Sequence, residues 1–267
     1  MDLFKQELAP ISSASWEEIN ETAVKVIKTQ LSARKVLHVQ GPLGLNTPAI
    51  SKGTLEMVDE NQDGVSAGLY NVDRLLESRI NFKLNRWELD NVLRGKKDVE
   101  LDALEDAAEA LALYEEDAIY NGNKKAGIKG LVELAETKLS ITNNAKDTLT
   151  AIAEGLLKLQ DAYTEKPYSL VVGDEVFKVL HQAYQGKYLI DAIEAVIGGR
   201  VIHSKVLKGA LLLPTNHEDL EITIGQDYTV GYETHTNEAV ELYITNAFTF
   251  NVYDESLIIY YKYYNKD

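Results

Sequence analysis

The one stretch whose residue types and spacing match a known catalytic device is Gly64-Val65-Ser66-Ala67-Gly68. In α/β-hydrolases a G-x-S-x-G turn presents a nucleophilic serine, and it needs a buried strand before it and a helix after it. Here Asn61-Gln62-Asp63 precedes and Leu69-Tyr70-Asn71 follows, so the match reads as accidental and a Ser66 hydrolase stands only as an alternative. The five histidines, His38, His181, His203, His217 and His235, form no H-E-x-x-H and no Glu-x-x-His pair, so no zinc or di-iron site is expected. No glycine-rich phosphate motif occurs, which leaves nucleotide binding without support. Arg79 and Trp87 could stack a planar ligand such as a flavin, although a tryptophan anchoring sheet to helix accounts for the same residue. The expectation is no catalytic residue, no metal and no required cofactor, with flavin as the one cofactor alternative.

Bulk charge narrows the partners. Forty-two acidic against 27 basic side chains leave a net charge of −15, with no excess cation to displace counterions from a phosphate backbone, so nucleic acid is not expected. Apolar runs are too short or interrupted for the roughly 20 residues of a membrane span. The start carries Asp2, Lys5 and Glu7 among its apolar residues, unlike a signal peptide. A cytoplasmic protein is expected. With no cysteine, stability must come from packing and association.

The elements that would position any site follow from periodicity. Ser15-Trp16-Glu17-Glu18 reads as a capping box, and Trp16, Ile19, Ala23, Val26, Ile27 and Leu31 then recur at helical spacing, predicting an amphipathic helix from Ser15 to about Arg34. A strand is expected over 36–39. Turn residues between short alternating runs predict a projecting hairpin over 51–84. A second helix over 98–120 carries Leu101, Leu104, Ala108, Leu111 and Ala118 on one side and eight carboxylates from Glu100 to Asp117, read as a solvated face. The middle alternates helix (149–163), strand (168–172), two helices from Asp174 and Leu189, and strands (200–203, 210–213), an α/β subdomain over about 131–225. Even positions from Val240 to Val252 are apolar except Asn246, which predicts a strand about twice the usual length of roughly five to six residues. Tyr260, Tyr261, Tyr263 and Tyr264 close the chain, suited to an interface or an edge strand.

Several stretches, taken in order, resemble the encapsulin family, the shell proteins of bacterial nanocompartments, also called linocin-like. They are Leu8-Ala9-Pro10 with Trp16; Thr29-Gln30-Leu31 with Arg34-Lys35; Gly41-Pro42-Leu43-Gly44; and Trp87-Glu88-Leu89-Asp90-Asn91 with Arg94-Gly95. Gly127-Ile128-Lys129-Gly130-Leu131, Gly225-Gln226-Asp227 with Gly231-Tyr232-Glu233, and Phe248-Thr249-Phe250 continue the series. The resemblance implies an α+β chain with the Hong Kong 97-type phage major capsid fold. Its parts would be an N-terminal helix and start of the peripheral domain (1–50), an extended loop (51–76), a peripheral domain with spine helix (77–130), an axial domain (131–225) and the returning peripheral domain with the long strand (226–267).

The same resemblance implies a homo-oligomeric icosahedral shell of about 60 copies. It would enclose a cargo protein, a ferritin-like iron-storage protein or a dye-decolourising peroxidase, through a C-terminal targeting peptide. By analogy the peptide groove is assigned to Ile27, Leu31, Arg34, His38, Tyr228 and Val230, with apolar side chains taking the peptide's Leu or Ile and Arg34 orienting its backbone or carboxylate. The five-fold pore loop falls on Tyr184, Gln185, Gly186, Lys187 and Tyr188, where Lys187 would repel metal cations. A phage major capsid protein is the nearest alternative, but the acidic charge and early helix do not suit DNA packaging.

Overall fold

The alternation of helical and strand periods fixes the order of elements. In the computed structural model, which describes residues 3–60 and 64–265, the chain begins with α1 (Ser13–Gln30), β1 (His38–Gln40), β2 (Ala49–Glu60), β3 (Ser66–Arg74) and β4 (Leu76–Asn85). Three helices follow, α2 (Arg86–Leu93), α3 (Asp102–Tyr120) and α4 (Leu131–Leu134), then β5 (Thr137–Thr142), α5 (Ala145–Asp161), β6 (Tyr168–Val172) and α6 (Asp174–Leu180). A short hairpin, β7 (Ala183–Tyr184) and β8 (Lys187–Tyr188), leads into α7 (Leu189–Ile197) and β9 (Val201–His203). The chain ends through β10 (Ala210–Pro214), β11 (Leu220–His235), β12 (Ala239–Val252) and β13 (Ile259–Tyr264). Among the described residues no helix is long and apolar enough to cross a membrane.

Two larger sheets hold nine of the strands, one in the order β1-β11-β12-β4 and one in the order β5-β13-β10-β6-β9, while β2–β3 and β7–β8 pair as separate two-stranded ribbons. In the first, β12 lies between β11 and β4, and its even-numbered side chains, Val240, Leu242, Ile244 and Phe248, are wholly buried. They meet the apolar side of α3, which in turn carries α1. Ile19, Ala23 and Ile27 of α1 and Leu31, its C-cap, one turn apart, form a buried stripe; burying each of its large aliphatic side chains is worth about 1.5–3 kcal/mol. A second core fills the α/β subdomain under α5, α6 and α7, and a third joins the two sheets through Leu211, Leu213, Ile222 and Phe250.

Four departures from expectation bear on how the elements are placed. Helix α1 starts a turn early: Ser12, not Ser15, caps it, its hydroxyl accepting from the Ser15 amide at 3.1 Å, while the Ser15 hydroxyl donates to the Leu89 carbonyl at 2.9 Å. Its last turn stops at Gln30, and a separate 3-10 turn covers Ala33–Lys35. The projecting hairpin is β2 with β3 alone, because β4 pairs along β12 from Leu76 to Asn85; the tip at 61–63 lies outside the described residues. Helix α2 was not expected. Asn85 caps it, its side-chain oxygen accepting from the Trp87 and Glu88 amides at 2.8 and 3.4 Å.

The fourth departure is the C-terminus. Strand β13, expected with the long strand, returns to the other sheet and lies between β5 and β10. Tyr261 is therefore a core residue, wholly buried, with no hydrogen-bond partner for its hydroxyl among the described residues. That ring occupies the space over Gly155 of α5, where an added Cβ would stand 1.8 Å from the hydroxyl oxygen. Alanine normally stabilises a helix by about 1 kcal/mol over glycine, but overpacking a core costs about 1–3 kcal/mol. Gly155→Ala is expected to lower the thermal midpoint, with part of the loss recovered by Tyr261→Phe; an unchanged or raised midpoint for Gly155→Ala would show that the helix can slide away from the ring.

Candidate functional site

A groove of about 420 Å3 runs beside the C-terminal half of α1. Helical spacing puts Ile27 and Leu31 on its floor and Val24, Lys28 and, past the helix end, Lys35 on its rim. The opposite wall is Arg34, Asp227 and Tyr228. The last two reach it through irregular pairing in β11: its register with β12 shifts between Ile224 and Gln226 and again between Gln226 and Thr229, and such bulges re-aim side chains. Val24 is 48% exposed and Leu31 only 6%, so the groove has an open apolar lip over a floor that also belongs to the subunit core.

Behind the wall lies a buried polar network. Glu115, with 0% exposure, accepts from Arg34 Nε at 2.6 Å and Nη2 at 2.8 Å, from the Tyr228 hydroxyl at 2.9 Å and from Asn246 Nδ2 at 2.8 Å. Asn246 accepts in turn from Ser78 Oγ, so the one polar residue on the core face of β12 is fully engaged. Glu116 accepts from the Ala33 amide at 2.8 Å and from the Ser32 hydroxyl, which also lies 2.9 Å from the Tyr120 hydroxyl. Arg34 completes its contacts with Asp227 at 2.8 Å and stacks over the Tyr228 ring, 5.0 Å from its centroid.

These contacts set the protonation states. Burial works against the Arg34 cation, but the hydrogen bond and charge of Glu115, aided by Asp227, raise its pKa. Burial and the Glu115 charge hold the Tyr228 phenol well above its ordinary value, against the pull of Arg34. Glu116 is pushed up to about 7, chiefly by burial and further by Glu115, although the Ser32 and Ala33 hydrogen bonds oppose this. The two carboxylates read from the sequence as part of a solvated face are instead buried, because the apolar stripe of α3 passes through their positions.

Of the assigned groove residues, Ile27, Leu31, Arg34 and Tyr228 come together. Val230 does not line the groove; it packs in the core below. His38 stands on β1, its Nδ1 3.2 Å from the Asn216 side-chain oxygen. Arg34 is turned inward onto Glu115, with Nη1 on Asp227 at the groove wall. Sequence reading did not assign Val24, Lys28, Lys35, Asp227 or Glu115 to the groove; Lys35 and Asp227 stood within the family motifs, and Glu115 left a signal of its own, a carboxylate in phase with Leu104, Ala108 and Leu111.

The other assigned residues are dispersed. Tyr184 to Tyr188 form the β7–β8 hairpin, turning through left-handed Gln185 and Gly186, with Lys187 and Tyr188 exposed. Arg79 stacks on Tyr243, 4.1 Å from its centroid, whereas Trp87 is 68% exposed near Arg94. Six residues of strand, about 20 Å, separate Arg79 from the end of β4 beside Trp87, so they do not make one stacking site, and Trp87 is not the packed anchor it was expected to be. Ser66 opens β3 on the exposed ribbon and is followed by strand, not helix, which removes the nucleophile-elbow geometry.

Comparison with known proteins agrees with this architecture. The family model described as "Encapsulating protein for peroxidase" matches residues 1–249. A type 1 encapsulin shell protein of Rhodococcus erythropolis is 33% identical over 95% of this chain and 97% of its own length. That of Mycobacterium tuberculosis is 30% identical over 95% and 96%. Among solved structures, a virus-like particle from Pyrococcus furiosus superposes with a TM-score of 0.68 at 16% identity, over 91% of this chain and 98% of that one. The capsid of Myoviridae phage XM1 gives 0.56 at 10% identity, over 87% and 91%. These two likenesses establish the capsid fold, and the full-length relatives the family: the chain belongs to the type 1 encapsulin shell proteins of nanocompartments.

Proposed function

We propose that this chain assembles in the cytoplasm into a closed icosahedral shell of about 60 copies and loads a cargo protein by holding its C-terminal targeting peptide in the α1 groove. The single observation that carries the reading is the open apolar groove on a capsid-fold subunit. Ile27 and Leu31 are one helical turn apart, about 6 Å along the axis. Alternate side chains of an extended peptide are spaced by about 6.6 Å, so two apolar side chains two residues apart fit that floor. The family description supports a peroxidase cargo, and a ferritin-like iron-storage cargo is the second candidate. The β7–β8 turn would line the five-fold openings, with Lys187 repelling cations. Electron microscopy with mass analysis of the purified chain tests the shell: uniform closed particles are expected, and a monomer or small oligomer would refute it.

Assembly has its own structural support. The β2–β3 ribbon exposes Leu55, Met57, Val58, Leu69, Tyr70 and Val72, and a contiguous apolar patch of this kind supports its meeting another subunit. Leu55→Asp with Leu69→Asp is expected to leave a folded subunit that elutes as a monomer in size-exclusion chromatography. Intact shells from that variant would remove the ribbon from the assembly contacts.

A further inference from the structure

The groove shows three cations, Lys28, Arg34 and Lys35, against one anion, Asp227, and by charge alone it would suit an acidic segment. The buried network alters that balance. Arg34 gives Nε and Nη2 to Glu115 and one Nη1 donor to Asp227, with its plane over the Tyr228 ring. Turning toward a ligand would strand the Glu115 carboxylate, buried without its cation. Such uncompensated charges are strongly disfavoured, and the Tyr228 and Asn246 hydrogen bonds on Glu115 fix the carboxylate's position. Lys28 and Lys35 stay on the exposed rim, where solvent and salt screen them.

We propose that Glu115 is the positioning residue that sets the selectivity of the groove: by holding Arg34 and Tyr228 back as a wall, it makes the groove read two apolar side chains and leave carboxylates on the occupant unread. The inference rests on the peptide-groove reading above and specifies its ligand, an extended segment recognised by two apolar side chains whatever carboxylates flank them. It also removes Arg34 from the role of carboxylate receptor.

The probe is a fluorescent protein ending in Ser-Gly-Leu-Ser-Ile-Gly-Ser-Gly, or in an acidic twin with each of its three Ser replaced by Glu, co-expressed with the shell and scored as fluorescence per purified shell. Wild-type shells are expected to load the two tags equally. Glu115→Gln shells, with Arg34 released, should favour the acidic twin by about tenfold, the order of one charge-assisted hydrogen bond. Adding Arg34→Met to Glu115→Gln should abolish that preference, a result a merely structural role for Glu115 would not give. Wild-type shells that prefer the acidic twin overturn the proposal, and this comparison decides even if Glu115→Gln subunits fail to assemble. Assembled Glu115→Gln shells that load both tags equally overturn it as well. Shells that load neither tag, wild-type or variant, refute the groove reading itself.

Discussion

Shells built from Val24→Asp subunits are expected to form intact and empty. Val24 lines the groove but is nearly half exposed, so its replacement leaves the subunit core undisturbed, and the short aspartate side chain stays on the groove side of α1. A bound peptide would have to cover that carboxylate and any pairing it makes with Lys28, one turn along the rim, and desolvating a charged group carries a cost even when it is paired, enough to lower loading by about tenfold or more. Leu31→Glu is the less informative change, because Leu31 is 6% exposed and packs with Ile27 and Leu104. Truncating such a side chain costs about 2–5 kcal/mol, and a charge there is expected to prevent assembly. Loading by fluorescence and particle integrity by electron microscopy separate the two outcomes. Val24→Asp shells that fill normally would place the cargo site outside this groove.

Glu116→Gln is expected to raise stability above neutral pH and to change it little in acid. The carboxyl sits at about 7 in the fold against an ordinary 4.5, so between those values the folded chain holds more protons than the unfolded one, and its stability falls as pH rises through the window. The full loss is about 3 kcal/mol, complete above pH 7 and absent below 4.5. Glutamine keeps the carbonyl that accepts from the Ala33 amide and cannot ionise. Other carboxylates titrate in the opposite sense: Glu88, held down to about 2 by its hydrogen bonds from Lys96 and the Glu100 amide, is one. The measurement is therefore the difference between variant and wild type in denaturant midpoint at pH 5 and pH 8. A difference that does not change with pH would mean that Glu116 is not the titrating group.

The positions where local reading succeeded and failed separate along one physical line. The buried face of α1, the 14-residue β12 and the alternation of helix and strand from 145 to 214 were legible because each depends on side chains within a turn or two, where the 3.6 and 2.0 periods act directly. Helix α2 escaped because eight residues give too little period, and the start of α1 was misplaced because Ser12 and Ser15 both fit a cap.

What the sequence by itself determined is which faces are apolar and the family those spaced motifs belong to; it left Glu115 on a face read as solvated, although that residue falls in phase with the apolar stripe of α3. Only the tertiary structure decided what that stripe meets. Arg34, Tyr228 and Asn246 come to Glu115 from 81, 113 and 131 residues away, and a carboxylate can be buried only where such partners arrive together. The same reason put β13 in the second sheet and Tyr261 over Gly155, because strand partners are chosen by contacts across the whole chain while periodicity records only which side of a strand faces inward.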